Sequence, residues 1–346
     1  MRVCFIYAEK DGDEESRELT LANAFLEGVA LSGDETSVVT KSEAQRNPPE
    51  AEVVCMVGVK SLKLFTQMKA LGKQIVYFDK GYLRHRGIGT RTWEYWRVAV
   101  NDHHPTDYVG VAKHGPTRWQ AISRRRGIAP APWRTEGDHV VYAGSSDKYH
   151  AFVGLPDPTK YAEDVIAKLK KVTDKPVLYR PKPTWLDAVP VDGARFSPRA
   201  ASIEDAMRGA WCLVTNGSNS SYDATMAGIP CIILGRAVAK PLYSDRLKDV
   251  NNPPVPTNEA RNQWLANIAW CMFTEEEMRM GLAWKAIRPQ LDGEILDDST
   301  INEAFILSGR PTKAMLKRGG LWAKSKRTKQ EQREKRPFRK NLKTTT

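Results

Sequence analysis

Short apolar runs alternate with stretches of helical spacing twice along this chain, and a Pro-rich break separates the two series. In the first series Val3–Ala8 is apolar, and Leu19, Ala22, Leu26 and Val29 then recur at helical spacing. Strands are predicted at Ser37–Thr40, Glu52–Val57 and Gln74–Phe78, with a helix carrying Leu62, Phe65 and Met68 before the last. The break is IAPAPWRTEG, around Gly127–Gly137, and reads as a linker. The second series has predicted strands at His139–Ala143, Pro176–Tyr179, Trp211–Thr215 and Cys231–Leu234. Helices are expected from near Pro158, over Ile203–Ala210, over Tyr222–Ala227, and near Thr257–Cys271 and Thr274–Ile287. A βαβα rhythm predicts a parallel sheet with helices on both faces. Two such units in tandem predict two Rossmann-like α/β lobes facing a central cleft. The expected boundaries are 1–133 for the first lobe and 134–273 for the second. Residues 274–310 then supply helices that pack back on the first lobe, and 311–346 form a tail.

Charge is concentrated in that tail. Pro311 to Thr346 holds thirteen Lys/Arg against two Glu, or +11 of the chain's net +12. With few large apolar residues it cannot offset its ordering entropy, so disorder is expected. Its charge suits polyphosphate contact as well as a solvated end. No run of about 18 apolar residues is present, which argues against a membrane-spanning helix, and the N-terminus lacks a signal-peptide pattern. Cys4, Cys55, Cys212, Cys231 and Cys271 form no CxxC pair, which suits free thiols in a reducing, cytoplasmic compartment.

The most informative motif runs from Val214 to Gly235, VTNGSNSSYDATMAGIPCIILG. An apolar strand ends in a run of six polar or tiny residues, Asn216 to Ser221, and a helix begins. Small residues allow close backbone approach, and N–H and hydroxyl groups at a helix start favour phosphate oxygens. An ordinary helix cap uses the same residue types. Arg180 and Lys182 in YRPKP follow a predicted strand at i and i+2, on one side of an extended segment. They are placed either to neutralise a diphosphate or to sit in a solvated loop. Gly144, Ser145 and Ser146 occupy the turn after the second lobe's first strand, as a ligand cradle or as turn geometry.

These stretches, AGSSDKY, YRPKPTW and the Val214–Gly235 segment, resemble the donor-binding half of GT-B glycosyltransferases. The likeness is to capsule-synthesis-like and phage-encoded DNA-modifying enzymes, and it covers residues 139–235. It implies a nucleotide diphosphate sugar as co-substrate, UDP-linked by preference, and no permanently bound cofactor or metal. By position it implies that Gly217, Ser218, Asn219, Ser220 and Ser221 hold the diphosphate. Asp223 stands where relatives usually carry a Glu for the ribose, and Phe196 and Ser197 where a base stacks and pairs. A phage origin would place the protein in the host-cell cytoplasm.

The segment from Tyr77 to His104 mixes cations with aromatic rings, a composition suited to nucleic acid or sugar. Lys80, Arg84, Arg86, Arg91, Trp93 and Trp96 are the candidate acceptor-binding residues. Asp79, at the end of an apolar strand, is the candidate general base, with Asp102, His103 and His104 as rivals. Asp11-Gly12-Asp13 matches a metal-binding DxD in form, but it lies among acids that favour a helix N-terminus. The favoured reading is sugar transfer to a hydroxymethylated pyrimidine in phage DNA. Alternatives are transfer to a polysaccharide or lipid-linked glycan, a nucleotide-sugar epimerase of the same fold, and a non-catalytic nucleic-acid-binding protein.

Overall fold

The computed structural model describes residues 1–9, 17–58, 62–83, 94–198, 200–301, 303 and 306. Asp11–Asp13, Arg84, Arg86, Arg91, Trp93 and the 311–346 tail lie outside the described residues. The described strands are β1 Arg2–Tyr7, β2 Glu35–Thr40, β3 Val53–Val57, β4 Gln74–Lys80, β5 Trp96–Val100, β6 His139–Ala143, β7 Val177–Arg180, β8 Arg195–Phe196, β9 Ala210–Thr215, β10 Cys231–Ile233 and β11 Met272–Phe273. Helices α1 Arg17–Ala30, α2 Lys41–Arg46, α3 Leu62–Ala70, α4 Thr106–Val111 and α5 Thr117–Arg126 belong to the first half. In the second half are α6 Asp147–Val153, α7 Pro158–Lys170, α8 Ile203–Ala206, α9 Ser220–Met226, α10 Asn258–Ala269, α11 Glu275–Arg279 and α12 Leu282–Leu291.

Two sheets result, one per lobe, and both lobes are Rossmann-like. The first has the order β11-β5-β4-β3-β1-β2 and the second β10-β9-β6-β7-β8. Every pairing in the second sheet is parallel. The first departs from the purely parallel expectation. Its β5 runs antiparallel to β4, and β11 antiparallel to β5. The chain turns back after β4 to pair on the same edge, and such a return reverses strand direction. Residues 272–273 thus join the first sheet, although they end the stretch assigned from sequence to the second lobe.

Strand periodicity builds the core directly. In the first sheet Val3, Phe5, Val53, Cys55, Val76 and Phe78 share one buried cluster with α1, α11 and α12. The alternate residues Cys4, Ile6, Val54, Met56, Ile75 and Tyr77 form the other face, under α2 and α3. This is the two-residue period of a strand covered on both sides. In the second sheet Val140, Tyr142, Val177 and Val214 pack with α7. Its opposite face, with Val141, Leu213 and Ile233, shares one cluster with Tyr82, Val109 and Trp119 from the first half. The lobes are therefore joined by continuous apolar packing.

Two local details shape the return to the first lobe. The helix expected over Thr274–Ile287 is broken, because Gly281 adopts φ +76° between α11 and α12. A Cβ at Gly28 of α1 would lie 1.8 Å from the Met278 carbonyl oxygen, so only glycine allows α11 to approach so closely. Arg118 of α5, fully buried, donates to both carboxylate oxygens of buried Glu277 at 2.8 and 3.0 Å. Its remaining donors reach the Ala269 and Met272 carbonyls, each at 2.8 Å.

Candidate active site between the lobes

In each sheet the chain order reverses beside the first strand of the lobe: β1 lies between β2 and β3, and β6 between β7 and β9. Such switch points open a crevice at the carboxyl ends of the strands. Here the two crevices face each other and enclose one cavity of about 620 Å³. From the first lobe it is lined by Ala8, Glu9, Arg17, Glu18, Val57 and Gly58, and by Asp79, Lys80, Trp96 and His103. The second lobe contributes Ser145, Ser146, Lys148 and Tyr149, then Lys182, Thr184 and Gly217–Asn219.

Asp79 is the last-but-one residue of β4, and its antiparallel partner in β5 is Arg97. Directly opposed residues on paired strands project to the same side, and their side chains meet. Arg97 Nη2 donates to Asp79 Oδ2 at 3.0 Å. Arg97 is wholly buried, so this carboxylate serves as counter-charge to a desolvated cation. Arg97 Nη1 crosses to the other lobe and donates to Asn219 Oδ1 at 2.8 Å. The Asp79 backbone thus lies on one wall and the Asn219 loop on the other, with one guanidinium holding both.

Both histidines touch the same guanidinium. His103 Nε2 is 3.3 Å from Arg97 Nη2, and His104 Nδ1 is 3.2 Å from Arg97 Nη1. Guanidinium only donates, so these ring nitrogens accept. His104 Nε2–H then donates to the Gly217 carbonyl at 3.1 Å, and Tyr82 Oη lies 2.9 Å from its Nδ1. The tautomers follow by assignment from partners: Nδ1–H for His103 and Nε2–H for His104. Burial first, then the Arg97 charge, hold both imidazoles well below their ordinary 6.5, with Lys182 adding to the effect.

That neutrality predicts a pH dependence of stability. The unfolded chain protonates its histidines below about pH 6.5 while His103 and His104 stay neutral in the fold, so stability falls as pH drops through that range. His114 and His150 are lowered too, in each case chiefly by burial. Each histidine contributes a loss approaching about 1.4 kcal/mol per pH unit below the unfolded value. Carboxylates titrate lower, so urea midpoints at about pH 7.5 and about pH 5.5 isolate the effect. Equal midpoints at the two values would contradict neutral, buried imidazoles.

The residues named from sequence divide cleanly. Asp79, His103, Lys80 and Trp96 line the cavity with Ser145, Ser146, Lys182, Gly217, Ser218 and Asn219. Asp102 does not, because its carboxylate is held by Arg236 at 2.6 Å and by the His103 backbone N–H at 2.6 Å. His104 is spent on the Gly217 carbonyl. Gly144 is set back and gives its N–H to the Arg180 carbonyl. Arg180 itself points to the Ala201 carbonyl at 3.3 Å. Ser221 is fully buried, and its hydroxyl donates to the Ser218 carbonyl at 3.0 Å, closing the first turn of α9. Ser220 is buried beside it, and Asp223 lies further along α9; neither lines the cavity. Phe196 packs edge-on to Tyr179, and the Ser197 N–H donates to the Tyr179 carbonyl. The basic run at Arg124–Arg126 ends α5, where Arg126 pairs with Glu94 and Arg125 donates to Tyr95 Oη.

Three participants went unnamed in the sequence. Arg97 is a single charge inside WRVAV, and a charge within an apolar strand requires a buried partner. Tyr149 stands on α6 against the Gly217 loop: a Cβ on Gly217 would come within 1.9 Å of its hydroxyl. Arg17 covers the Trp96 ring at 5.2 Å. Ser145 Oγ and His103 Nδ1 are buried without a hydrogen-bond partner among the described residues, and both residues border the cavity. Among the described residues no group of three or more His, Cys, Asp or Glu is placed to hold a metal ion, and no helix is long and apolar enough to cross a membrane.

Fold and site together define a two-lobed α/β protein whose inter-lobe cavity is made by two facing switch points. No family model matches the chain, and no curated protein matches it. Among solved structures it is similar to the β-Kdo 2,7 transferase of KpsC from Thermosulfurimonas dismutans, at 13% identity and TM-score 0.46, covering 81% of this chain and 98% of that one. The β-Kdo 2,4 transferase of the same KpsC aligns at 13% identity and TM-score 0.44, over 75% and 89%. The spinosyn rhamnosyltransferase SpnG aligns at 12% identity and TM-score 0.31, over 78% and 97%.

Proposed function

We propose that the chain is a glycosyltransferase that takes a sugar from a nucleotide diphosphate sugar and passes it to an acceptor hydroxyl. The observation that carries this reading is the shared cavity, with a carboxylate on one wall and a Ser/Asn/Gly loop plus lysines on the other. In this reading the diphosphate lies against Gly217–Asn219, Ser145 and Ser146, with Lys182 and Lys148 offsetting its charge. The acceptor enters from the Lys80, Trp96 and Arg17 side. Its oxygen attacks the anomeric carbon, the bond from that carbon to the diphosphate oxygen breaks, and Asp79 receives the acceptor proton. Lys182 stabilises the negative charge that builds on the leaving diphosphate. Arg97 acts on Asp79 and Asn219 and touches neither substrate. These side chains need no metal for charge balance at the leaving group. UDP is the nucleotide proposed for the donor.

The acceptor proposed is DNA bearing a hydroxymethylated pyrimidine, and what supports it is the +11 carried by residues 311–346. A base in duplex DNA is shielded by stacking, so it must leave the stack to reach a cavity between lobes, at a few kcal/mol. Mass spectrometry of nucleosides after incubation with a donor panel tests this directly. Transfer to a glycan and none to hydroxymethylated DNA would leave the donor reading standing and remove the DNA acceptor.

The donor reading has its own test. A nucleoside diphosphate at about 100 times its Kd is expected to stabilise the protein by about 2.7 kcal/mol, seen as a raised Tm. Lys182→Ala is expected to cut that shift sharply at the same ligand concentration, and Arg180→Ala to leave most of it. An undiminished shift in Lys182→Ala would exclude Lys182 from the diphosphate site.

A further inference from the structure

Asn219 stands at the N-cap of α9, yet its side chain makes no capping hydrogen bond. An asparagine in that position ordinarily turns its oxygen back to the helix N–H groups. Here the first lobe takes the oxygen, with Arg97 Nη1 donating to Asn219 Oδ1 at 2.8 Å. A guanidinium has no acceptor, so only the oxygen end of the amide can meet it. The amide nitrogen then turns away from Arg97. No partner holds Asn219 Nδ2 among the described residues, yet that atom is not sealed off from solvent. Asn219 lines the cleft cavity, so its amide N–H groups are open to whatever occupies it.

The other acceptors of this loop are occupied as well. The Gly217 carbonyl accepts from His104 Nε2–H at 3.1 Å, again a first-lobe donor. The Ser218 carbonyl accepts from Ser221 Oγ at 3.0 Å, and the Asn219 carbonyl from the Tyr222 N–H at 2.9 Å. Ser218 Oγ accepts from the Ser220 N–H at 3.2 Å, which leaves the Ser218 proton to give. What the loop still offers a ligand is donors, a polarity that suits an anionic oxygen. Two of its acceptors are covered from the other lobe, so that polarity is not set by the loop alone. We propose that Arg97 is a positioning residue for this loop: from the first lobe it claims the oxygen of Asn219 and so aims the Asn219 amide N–H groups at a diphosphate oxygen in the cavity. The identity of that ligand rests on the glycosyltransferase reading. Arg97 also donates to Asp79 at 3.0 Å, so one guanidinium sets the loop and the opposite carboxylate together.

A double-mutant cycle on the full chain, read by calorimetric titration with UDP, tests it. Asn219→Ala removes the amide and is expected to weaken UDP binding at least about tenfold, in the range of one hydrogen bond to a charged group. Arg97→Lys keeps a cation near Asp79, but a single ammonium does not reproduce the fork that spans Asp79 and Asn219. It is expected to weaken UDP binding to a similar extent with Asn219 unchanged. In the Asn219→Ala background the lysine is expected to cost less than about twofold more, because its effect runs through the amide. Arg97→Met, checked for folding by its melting curve, is expected to repeat the pattern. A purely structural role for Arg97 gives additive losses instead, and additive losses overturn the proposal. So does undiminished UDP affinity in Asn219→Ala or in Arg97→Lys. Failure of the donor reading shows differently: the unmutated chain then binds neither UDP nor another nucleoside diphosphate, and the proposal falls with it.

Discussion

Asp79→Asn is expected to lower sugar transfer by at least about 100-fold, the low end of general-base contributions. The donor-induced rise in Tm should remain. Asparagine keeps an oxygen that can accept from Arg97 Nη2, now 3.0 Å from Asp79 Oδ2, so the geometry has a substitute contact. What it loses is the negative charge and the basic lone pair. Asp79 therefore has two duties, as proton acceptor and as counter-charge to a buried guanidinium. The two separate experimentally: a base defect appears in turnover, and a counter-charge defect appears in urea stability. Near-normal turnover would remove the base role from Asp79, although it is the candidate carboxylate that lines the cavity. His103 sits 3.7 Å from the same carboxylate.

The largest stability effect is expected from Glu277→Ala. Both members of the Arg118–Glu277 pair are almost fully buried, with side-chain exposures of 1% and 2%. Removing one partner of such a pair leaves an uncompensated charge and costs about 3–5 kcal/mol. Glu277 also completes a capping box with Thr274 at the start of α11, which adds to the loss. Urea unfolding measures it. The double variant Arg118→Met with Glu277→Leu is expected to recover much of the stability, because a packed apolar pair avoids the desolvation cost. A double variant no more stable than Glu277→Ala would mean that the carbonyl contacts of Arg118 dominate.

The strands were the most legible part of the sequence. β1, β3, β4, β6, β9 and β10 are covered by helices on both faces, so their residues are nearly all apolar and stand out as runs. β5 was missed because Arg97 interrupts WRVAV, and the reason for that charge lies eighteen residues away in Asp79. β8 and β11 have two residues each, too few to show a period. The same distinction holds in the site. Ser145, Lys182 and Gly217–Asn219 follow strand ends, and strand ends are visible in sequence. Whether a loop serine faces ligand or helix is decided by its own hydrogen bond, as Ser221 shows with the Ser218 carbonyl. Arg180 and Lys182 looked equivalent at i and i+2, yet one turns to the Ala201 carbonyl and the other to the cavity. The Ala201 carbonyl that Arg180 meets lies twenty-one residues further on, so no local pattern encodes that choice.

The position of β11 has a consequence for how the chain is made. Synthesis proceeds from the N-terminus, so β1 to β5 and α1 emerge well before residues 272–291. Until then the edge of β5 has no partner, and the face of α1 with Phe25 and Val29 lacks α11 and α12. At ordinary translation rates of about 5–20 residues per second, the intervening stretch keeps that surface waiting on the order of ten seconds. A nascent chain that has emerged to about residue 270 would then carry a complete second sheet beside an unfinished first one. Ribosome-stalled intermediates of this length should engage chaperones that bind exposed apolar helices, and release about twenty-five further residues from the tunnel should end that engagement.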